Sequence, residues 1–135
     1  MSNWQVKSNS SIEAANNLIS RELFNPSIHS FYYACVQYVY HVFENHFGYD
    51  IKQIEGGSRL VKKNLSNHVW LRKEIFHSLK TKDKKVAADF NNIMGQLCNK
   101  RVLADYHYKI CEIDDANDSK KAAQEIIDVL KTYYI

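Results

Sequence analysis

Proline and glycine are scarce in this 135-residue chain, which contains one proline and four glycines. A β-sandwich or barrel needs a turn about every 8–12 residues, and such turns draw heavily on these two residue types. Apolar residues make up 45% of the sequence and charged residues 24%, which argues against a disordered chain. The composition therefore predicts one soluble domain over residues 1–135, built from long helices.

Long apolar runs and paired cysteines are missing as well. No segment approaches the roughly 18 consecutive apolar residues of a membrane span, and the first residues, MSNWQVK, lack the apolar core of a secretory signal. Cys35, Cys98 and Cys111 form no CxxC pair and no zinc-ligand spacing. Each fits an apolar helix face, so we expect free thiols in a cytoplasmic protein without a membrane partner or a cofactor.

Apolar residues recur at helical spacing in five stretches of the chain. These stretches are, in order, Ser11–Leu23, Pro26–Gly48, Leu65–Leu79 (with Asn67 as an alternative start), Lys84 to beyond Lys100, and a last helix capped by Asp118 or Ser119. Residues 48–64 are expected to form a connecting loop, and residues 114–118 a turn. The pattern predicts an all-α, antiparallel up-and-down bundle of four to five helices.

The net charge of +3 is unevenly distributed. Residues 59–85 contain nine lysines and arginines against two acidic residues, whereas residues 112–135 contain six acidic residues against three lysines. Such asymmetry is typical of a phosphate-binding face, for which Lys82, Lys84 and Lys85 are the candidate nucleic-acid-binding residues. A solvated helical hairpin is the alternative, because surface lysines are common.

Familiar nucleotide and metal motifs are not found. Gly56-Gly57-Ser58 lacks the Lys-Ser/Thr that completes a phosphate-binding loop. Di-iron bundles need Glu-x-x-His pairs on two helices together with further glutamates, a set that this sequence does not supply. We therefore expect no metal site, and histidines that lie at the surface or at the edge of the core.

The segment 101–107, Arg-Val-Leu-Ala-Asp-Tyr-His, combines side chains that suit phosphate chemistry. Arginine offers a permanent bidentate cation, and histidine can exchange a proton near neutral pH. Arg101 and Asp105 also fit a simple i,i+4 pair on a helix surface. In an unbroken helix His107 lies about 120° around the axis from Arg101. Both then reach one ligand only if the helix kinks or ends between them, or if a second subunit completes the site.

The predicted bundle with this segment near the end of its fourth helix resembles the HEPN family (higher eukaryotes and prokaryotes nucleotide-binding). The aromatic-rich second helix, the Asn67-His68 segment and the Arg-x-x-Ala-Asp-Tyr sequence carry the resemblance. It implies a homodimer in which the arginine–histidine motif of each subunit faces a shared cleft. It also implies a metal-independent endoribonuclease of the toxin or defence type. Arg101 and His107 would be catalytic, and Asp105 and Tyr106 supporting.

Val102 departs from the family pattern, in which a small polar residue, often asparagine, usually follows the arginine. The Arg-x-x-Ala-Asp-Tyr version also resembles a branch in which the histidine is frequently missing. Three interpretations therefore stay open. One is binding of RNA or a nucleotide, with or without cleavage, and another is a non-catalytic helical module that docks a partner such as a nucleotidyltransferase. The third is an unrelated structural bundle.

Overall fold

The computed structural model describes residues 1–55 and 67–134 of the chain. These residues form six helices and no strand, which confirms the all-α prediction. The helices are α1 (Asn3–Ser20), α2 (Phe24–Asn45), α3 (Ile51–Glu55), α4 (Asn67–Lys80), α5 (Lys84–Tyr106) and α6 (Ile113–Tyr133). The Gly56-Gly57-Ser58 segment, the predicted helix start at Leu65 and the first part of the basic segment lie outside the described residues.

The central element of the bundle is α2, which packs against α1, α5 and α6. The apolar stripe predicted for it is buried, and Phe31, Tyr32 and Phe43 are among its largest fully buried side chains. Ser2 and Ser8 contact His41 and Ala34, so α1 runs antiparallel to α2. Asn25 and Tyr32 contact Ala104 and Arg101, so α5 also runs antiparallel to α2. None of the described helices is long and apolar enough to span a membrane.

The first helix begins earlier than the apolar periodicity predicts, at Asn3 instead of Ser11. Ser2 and Gln5 form a capping box, in which each side chain accepts a hydrogen bond from the other's backbone N–H. The buried residue of this added part is Ser8, which donates a hydrogen bond to the carbonyl of Ala34 at 2.8 Å. A serine on the buried face leaves no apolar signal in the sequence, which is why the prediction started late.

The predicted turn at residues 114–118 is wrong, because these residues form the first part of α6. Glu112 is the N-cap of this helix and forms a capping box with Asp115. Acidic residues in a first turn are stabilised by the positive end of the helix dipole. The predicted loop at 48–64 is also wrong in part, since the short helix α3 begins at Ile51.

Candidate functional site

Arg101 occupies a core position of α5. The buried residues of this helix follow a spacing of three and four, and they are Ala87, Phe90, Met94, Leu97 and Arg101. The arginine thus continues the apolar stripe by one more helical turn, and only 9% of its surface is exposed. The same spacing that places apolar side chains in the core therefore also buries the charged side chain of Arg101.

Tyrosine rings surround the guanidinium of Arg101. Its central carbon lies 4.9 Å from the ring centre of Tyr32 and 5.7 Å from the ring centres of both Tyr33 and Tyr106. Such cation–π contacts stabilise a desolvated guanidinium. Burial by itself lowers the pKa of Arg101, but the hydroxyl groups of Tyr33 and Tyr32 raise it, so this side chain stays charged.

The hydrogen-bonding capacity of Arg101 is incompletely used. Its Nε is buried and has no hydrogen-bond partner within the described chain. Its Nη1 lies 3.7 Å from Oδ2 of Asp105, which is an ion-pair distance and longer than a good hydrogen bond. The predicted i,i+4 pair is therefore present, but in a largely buried position, with 11% and 18% of the two side chains exposed. A buried donor without a partner costs about 1–3 kcal/mol, so an anion placed here would gain that interaction.

Two histidines from other helices join this group. His29 of α2 places Nδ1 2.7 Å from the same Oδ2 of Asp105. His68 of α4 places Nδ1 3.0 Å from the hydroxyl of Tyr32. Burial, and to a smaller degree the charge of Arg101, lower the pKa of His68 below its ordinary value. We call the set Tyr32, Tyr33, His29, His68, Arg101, Asp105 and Tyr106 the Arg101 cluster.

His107 lies outside the Arg101 cluster. The helix α5 ends at Tyr106, and His107 follows as an exposed C-cap residue with extended backbone dihedrals of φ −111° and ψ 160°. The helix thus ends between Arg101 and His107, which is one of the conditions under which both side chains can reach the same ligand. No hydrogen bond joins the two side chains in the described part of the chain.

The loop that carries His107 is fixed by Asn25. The side-chain Nδ2 of Asn25 donates to the carbonyls of Ala104 at 3.0 Å and Lys109 at 2.8 Å. Its Oδ1 accepts a hydrogen bond from the backbone N–H of Cys111 at 2.9 Å. The predicted helices Ser11–Leu23 and Pro26–Gly48 leave Asn25 in the connection between them, and the sequence gives no sign of this role.

The lysines predicted to bind RNA lie far from the Arg101 cluster. Lys82 is in the turn between α4 and α5, and Lys84 and Lys85 are exposed in the first turn of α5. At 1.5 Å per residue, about 25 Å of helix separates Lys84 from Arg101. The structure therefore places the two predicted groups at opposite ends of one helix.

Several apolar side chains are exposed at the end of the bundle near Arg101. Ile110 is 89% exposed and Ile113 51%, and Tyr108 is fully exposed. Ile110 and Ile113, together with Leu23, border an open groove of about 670 Å³ between the α1–α2 and α5–α6 connections. We call Leu23, Tyr108, Ile110 and Ile113 the apolar end surface.

The sequence predicts Tyr106 as a supporting residue, but it does not predict the contacts of His29, Tyr32 and Tyr33 with Asp105 and Arg101. No motif in the sequence distinguishes His29 from the other histidines, which are expected at the surface or at the edge of the core. Arg101 and Asp105 are about 70 residues away from these α2 residues in the chain, and no local spacing in the sequence predicts contacts over that separation. A weak signal exists in the i,i+4 spacing of His29 and Tyr33, which puts both on one helix face.

Within the described residues, no three His, Cys, Asp or Glu side chains are grouped as ligands for a metal ion. Comparison with family models, with curated proteins and with solved structures finds no match to this chain.

Proposed function

We propose that this chain is a HEPN-like RNA-binding domain that cleaves RNA without a metal ion, and that Arg101 binds the phosphate of the substrate. The observation that carries the proposal is the burial of Arg101 at a core position with its Nε unpaired. An apolar side chain there would avoid the desolvation cost of a charge. Such an unfavourable group at a helix end is characteristic of a ligand site.

The side chains around Arg101 suit a phosphodiester of RNA. A guanidinium can stabilise the negative charge that develops on phosphorus, and imidazoles can move the protons of the attacking and leaving oxygens. Tyr106 is 73% exposed although its ring contacts Arg101. It therefore offers a surface on which a base can stack next to the bound phosphate.

The proposal includes a homodimer and a role for His107. His107 and the apolar end surface belong to the same end of the bundle, next to Tyr106. A second copy that covers Ile110 and Tyr108 would bring its own His107 and Arg101 close to this face. Clusters of exposed apolar side chains are typical of surfaces that contact another protein.

Substitution of Arg101 tests the proposal. Arg101→Met should stay folded, because methionine fits the apolar stripe of α5. Its affinity for a single-stranded RNA oligonucleotide, measured by fluorescence anisotropy, should fall about 10- to 100-fold, as expected for the loss of charge-assisted hydrogen bonds. Cleavage in excess EDTA to 2′,3′-cyclic phosphate ends should fall with it. Arg101→Lys should restore little, since lysine lacks the bidentate fork.

Arg21→Met is the matched control, because Arg21 is an exposed arginine at the end of α1. It should bind and cleave RNA like the unchanged protein. Unchanged protein that neither binds nor cleaves RNA, or an Arg101→Met variant with full affinity, would contradict the proposal.

The predicted nucleic-acid-binding lysines provide a second test. Charge reversal at Lys82, Lys84 and Lys85 should weaken binding of a long oligonucleotide and reduce the dependence of its affinity on salt. A dinucleotide should be unaffected, because about 25 Å of helix lies between these lysines and Arg101. Equal effects on both RNAs would show that the lysines do not form a separate contact.

The apolar end surface favours a second candidate function, a non-catalytic module that docks a partner such as a nucleotidyltransferase. Ile110 and Ile113 would then contact the partner, and Ile110→Lys should abolish a complex formed on co-expression. This function becomes the better account if the unchanged protein is inert toward RNA and forms such a complex.

A further inference from the structure

We propose that His29, oriented by Asp105, is an acid–base residue that acts beside Arg101 in the same subunit. This inference rests on the proposed ribonuclease function and deepens it. It assigns a catalytic imidazole to α2, in addition to the one expected after the end of α5. His29 and Arg101 belong to different helices and are 72 residues apart in the sequence.

Asp105 contacts both the imidazole of His29 and the guanidinium of Arg101. Oδ2 of Asp105 is 2.7 Å from Nδ1 of His29 and 3.7 Å from Nη1 of Arg101. The imidazole and the guanidinium are thus separated by no more than the sum of these two distances. One phosphate group can therefore lie against both.

The hydrogen bond to Asp105 determines which ring nitrogen of His29 is available. A carboxylate has no proton to donate, so Nδ1 of His29 carries the hydrogen and donates it to Oδ2. In the neutral ring this leaves the lone pair on Nε2, which has no hydrogen-bond partner among the described residues. A carboxylate that fixes the tautomer and orientation of an imidazole is the arrangement that general bases require.

The position of the ring allows contact with a substrate. The side chain of His29 is 48% exposed, whereas the side chains of Arg101 and Asp105 beneath it are largely buried. The ring of His29 packs on Tyr33 with 4.6 Å between ring centres, and Tyr33 in turn contacts the guanidinium. The imidazole therefore lies at the open side of the Arg101 cluster.

His68 is less suited to this task. Its Nδ1 lies against the hydroxyl of Tyr32, and burial lowers its pKa. A neutral, half-buried ring in contact with a tyrosine is better placed to hold that tyrosine over Arg101 than to exchange protons with a substrate.

The step assigned to His29 is the attack of a ribose 2′-oxygen on the adjacent phosphorus. Nε2 of His29 accepts the proton of the 2′-hydroxyl, and the freed electron pair forms the new bond to phosphorus. The bond from phosphorus to the 5′-oxygen breaks, and that oxygen takes a proton from water. Arg101 balances the charge of the phosphorane. The products are a 2′,3′-cyclic phosphate and a 5′-hydroxyl, and His29 returns its proton to solvent.

A purely structural role for His29 would also explain the contact, because the hydrogen bond between His29 and Asp105 ties α2 to α5. The two roles differ in what glutamine does. A glutamine at position 29 can still donate a hydrogen bond to Asp105, but it cannot exchange a proton. His29→Gln should therefore keep the thermal midpoint of unfolding and lose cleavage by about 10²- to 10⁴-fold.

Chemical rescue makes the test specific for the imidazole. The variants are assayed in excess EDTA on a single-stranded RNA oligonucleotide, with and without added imidazole. His29→Ala should lose the same 10²- to 10⁴-fold, and imidazole should restore part of the rate because the site is open to solvent. Asp105→Asn should lower kcat more than it raises KM. The control His77→Ala, at an exposed histidine of α4, should cleave like the unchanged protein.

The outcomes separate this inference from the function on which it rests. Cleavage at the full rate by His29→Gln, or a His29→Ala variant whose loss imidazole does not relieve, would overturn the role of His29 and leave the ribonuclease in place. Unchanged protein that does not cleave RNA would overturn the ribonuclease and the role of His29 together.

Discussion

Replacement of Asn25 by alanine should destabilise the protein through the connection between α5 and α6. The amide of Asn25 forms three hydrogen bonds with backbone groups. One is to Ala104 in the last turn of α5, and the other two are to Lys109 and Cys111 in the connection. The partners are 79 to 86 residues away in sequence, so a single side chain holds the start of α2 against the end of α5. Alanine removes all three bonds and offers nothing in their place.

The size of the effect follows from the exposure of these groups. A net hydrogen bond contributes about 0.5–1.5 kcal/mol, and partners that water can reach recover part of the loss. The bond to Lys109 is exposed, whereas those to Ala104 and Cys111 are partly buried. We therefore expect the free energy of unfolding to fall by about 2–3 kcal/mol. For a domain of this size that lowers the thermal midpoint by roughly 6–10 °C.

Chemical unfolding followed by circular dichroism measures this loss directly. Asn9→Ala is the matched control, because Asn9 is exposed on α1 and, among the described residues, its side chain bonds only the sulfur of Met1. It should change stability by less than about 0.5 kcal/mol. An Asn25→Ala variant as stable as the control would refute the reasoning that the Asn25 amide fixes this connection.

Two further predictions concern α5 and its neighbour α4. Gly95→Ala should stabilise the protein by about 0.5–1 kcal/mol in the same unfolding assay, because glycine is a poor helix former. The added Cβ would lie 3.5 Å from Nη1 of Arg72, which is an ordinary contact. A loss of stability would show that this contact is too close. The pKa of His68 is lowered in the folded state from a usual 6.5, so the unfolded chain takes up the proton first as the pH falls. Stability should therefore decrease as the pH falls below about 6.5, and His68→Gln should lessen that decrease; an equal decrease in both proteins would contradict the assignment to His68.

Most of the fold could be predicted because the helices bury apolar stripes with local periodicity. The stripe from Ile28 to Phe43 places α2 in the core as expected. The errors fall where the buried or capping residues are polar. Ser8 packs against α2 without an apolar side chain, and Asp115 stabilises a first turn that its acidic neighbours made look like a loop. Periodicity of apolar residues cannot detect either feature.

The candidate site could be predicted only in its local part. The spacing of Arg101 and Asp105 indicates a contact that the structure contains. The contact between Asp105 and His29 depends instead on how α2 packs against α5, and no motif encodes that packing. The burial of Arg101 is an intermediate case, because its three-and-four spacing from Leu97 and Met94 could be read from the sequence once the helix was assigned.

The first half of α2 determines the geometry of the Arg101 cluster. Asn25, His29, Tyr32 and Tyr33 follow a spacing of four, three and one, so they share one face of this helix. Because α2 runs antiparallel to α5, that face meets the last turns of α5 in reverse order. Asn25 then contacts the residues after the helix end, His29 contacts Asp105, and the tyrosines contact Arg101. A shift of α2 by one helical turn would break all of these contacts at once. Large buried side chains of α2, such as Phe31 and Phe43, favour the same register, so the geometry of the site depends on the core as well as on its own polar contacts.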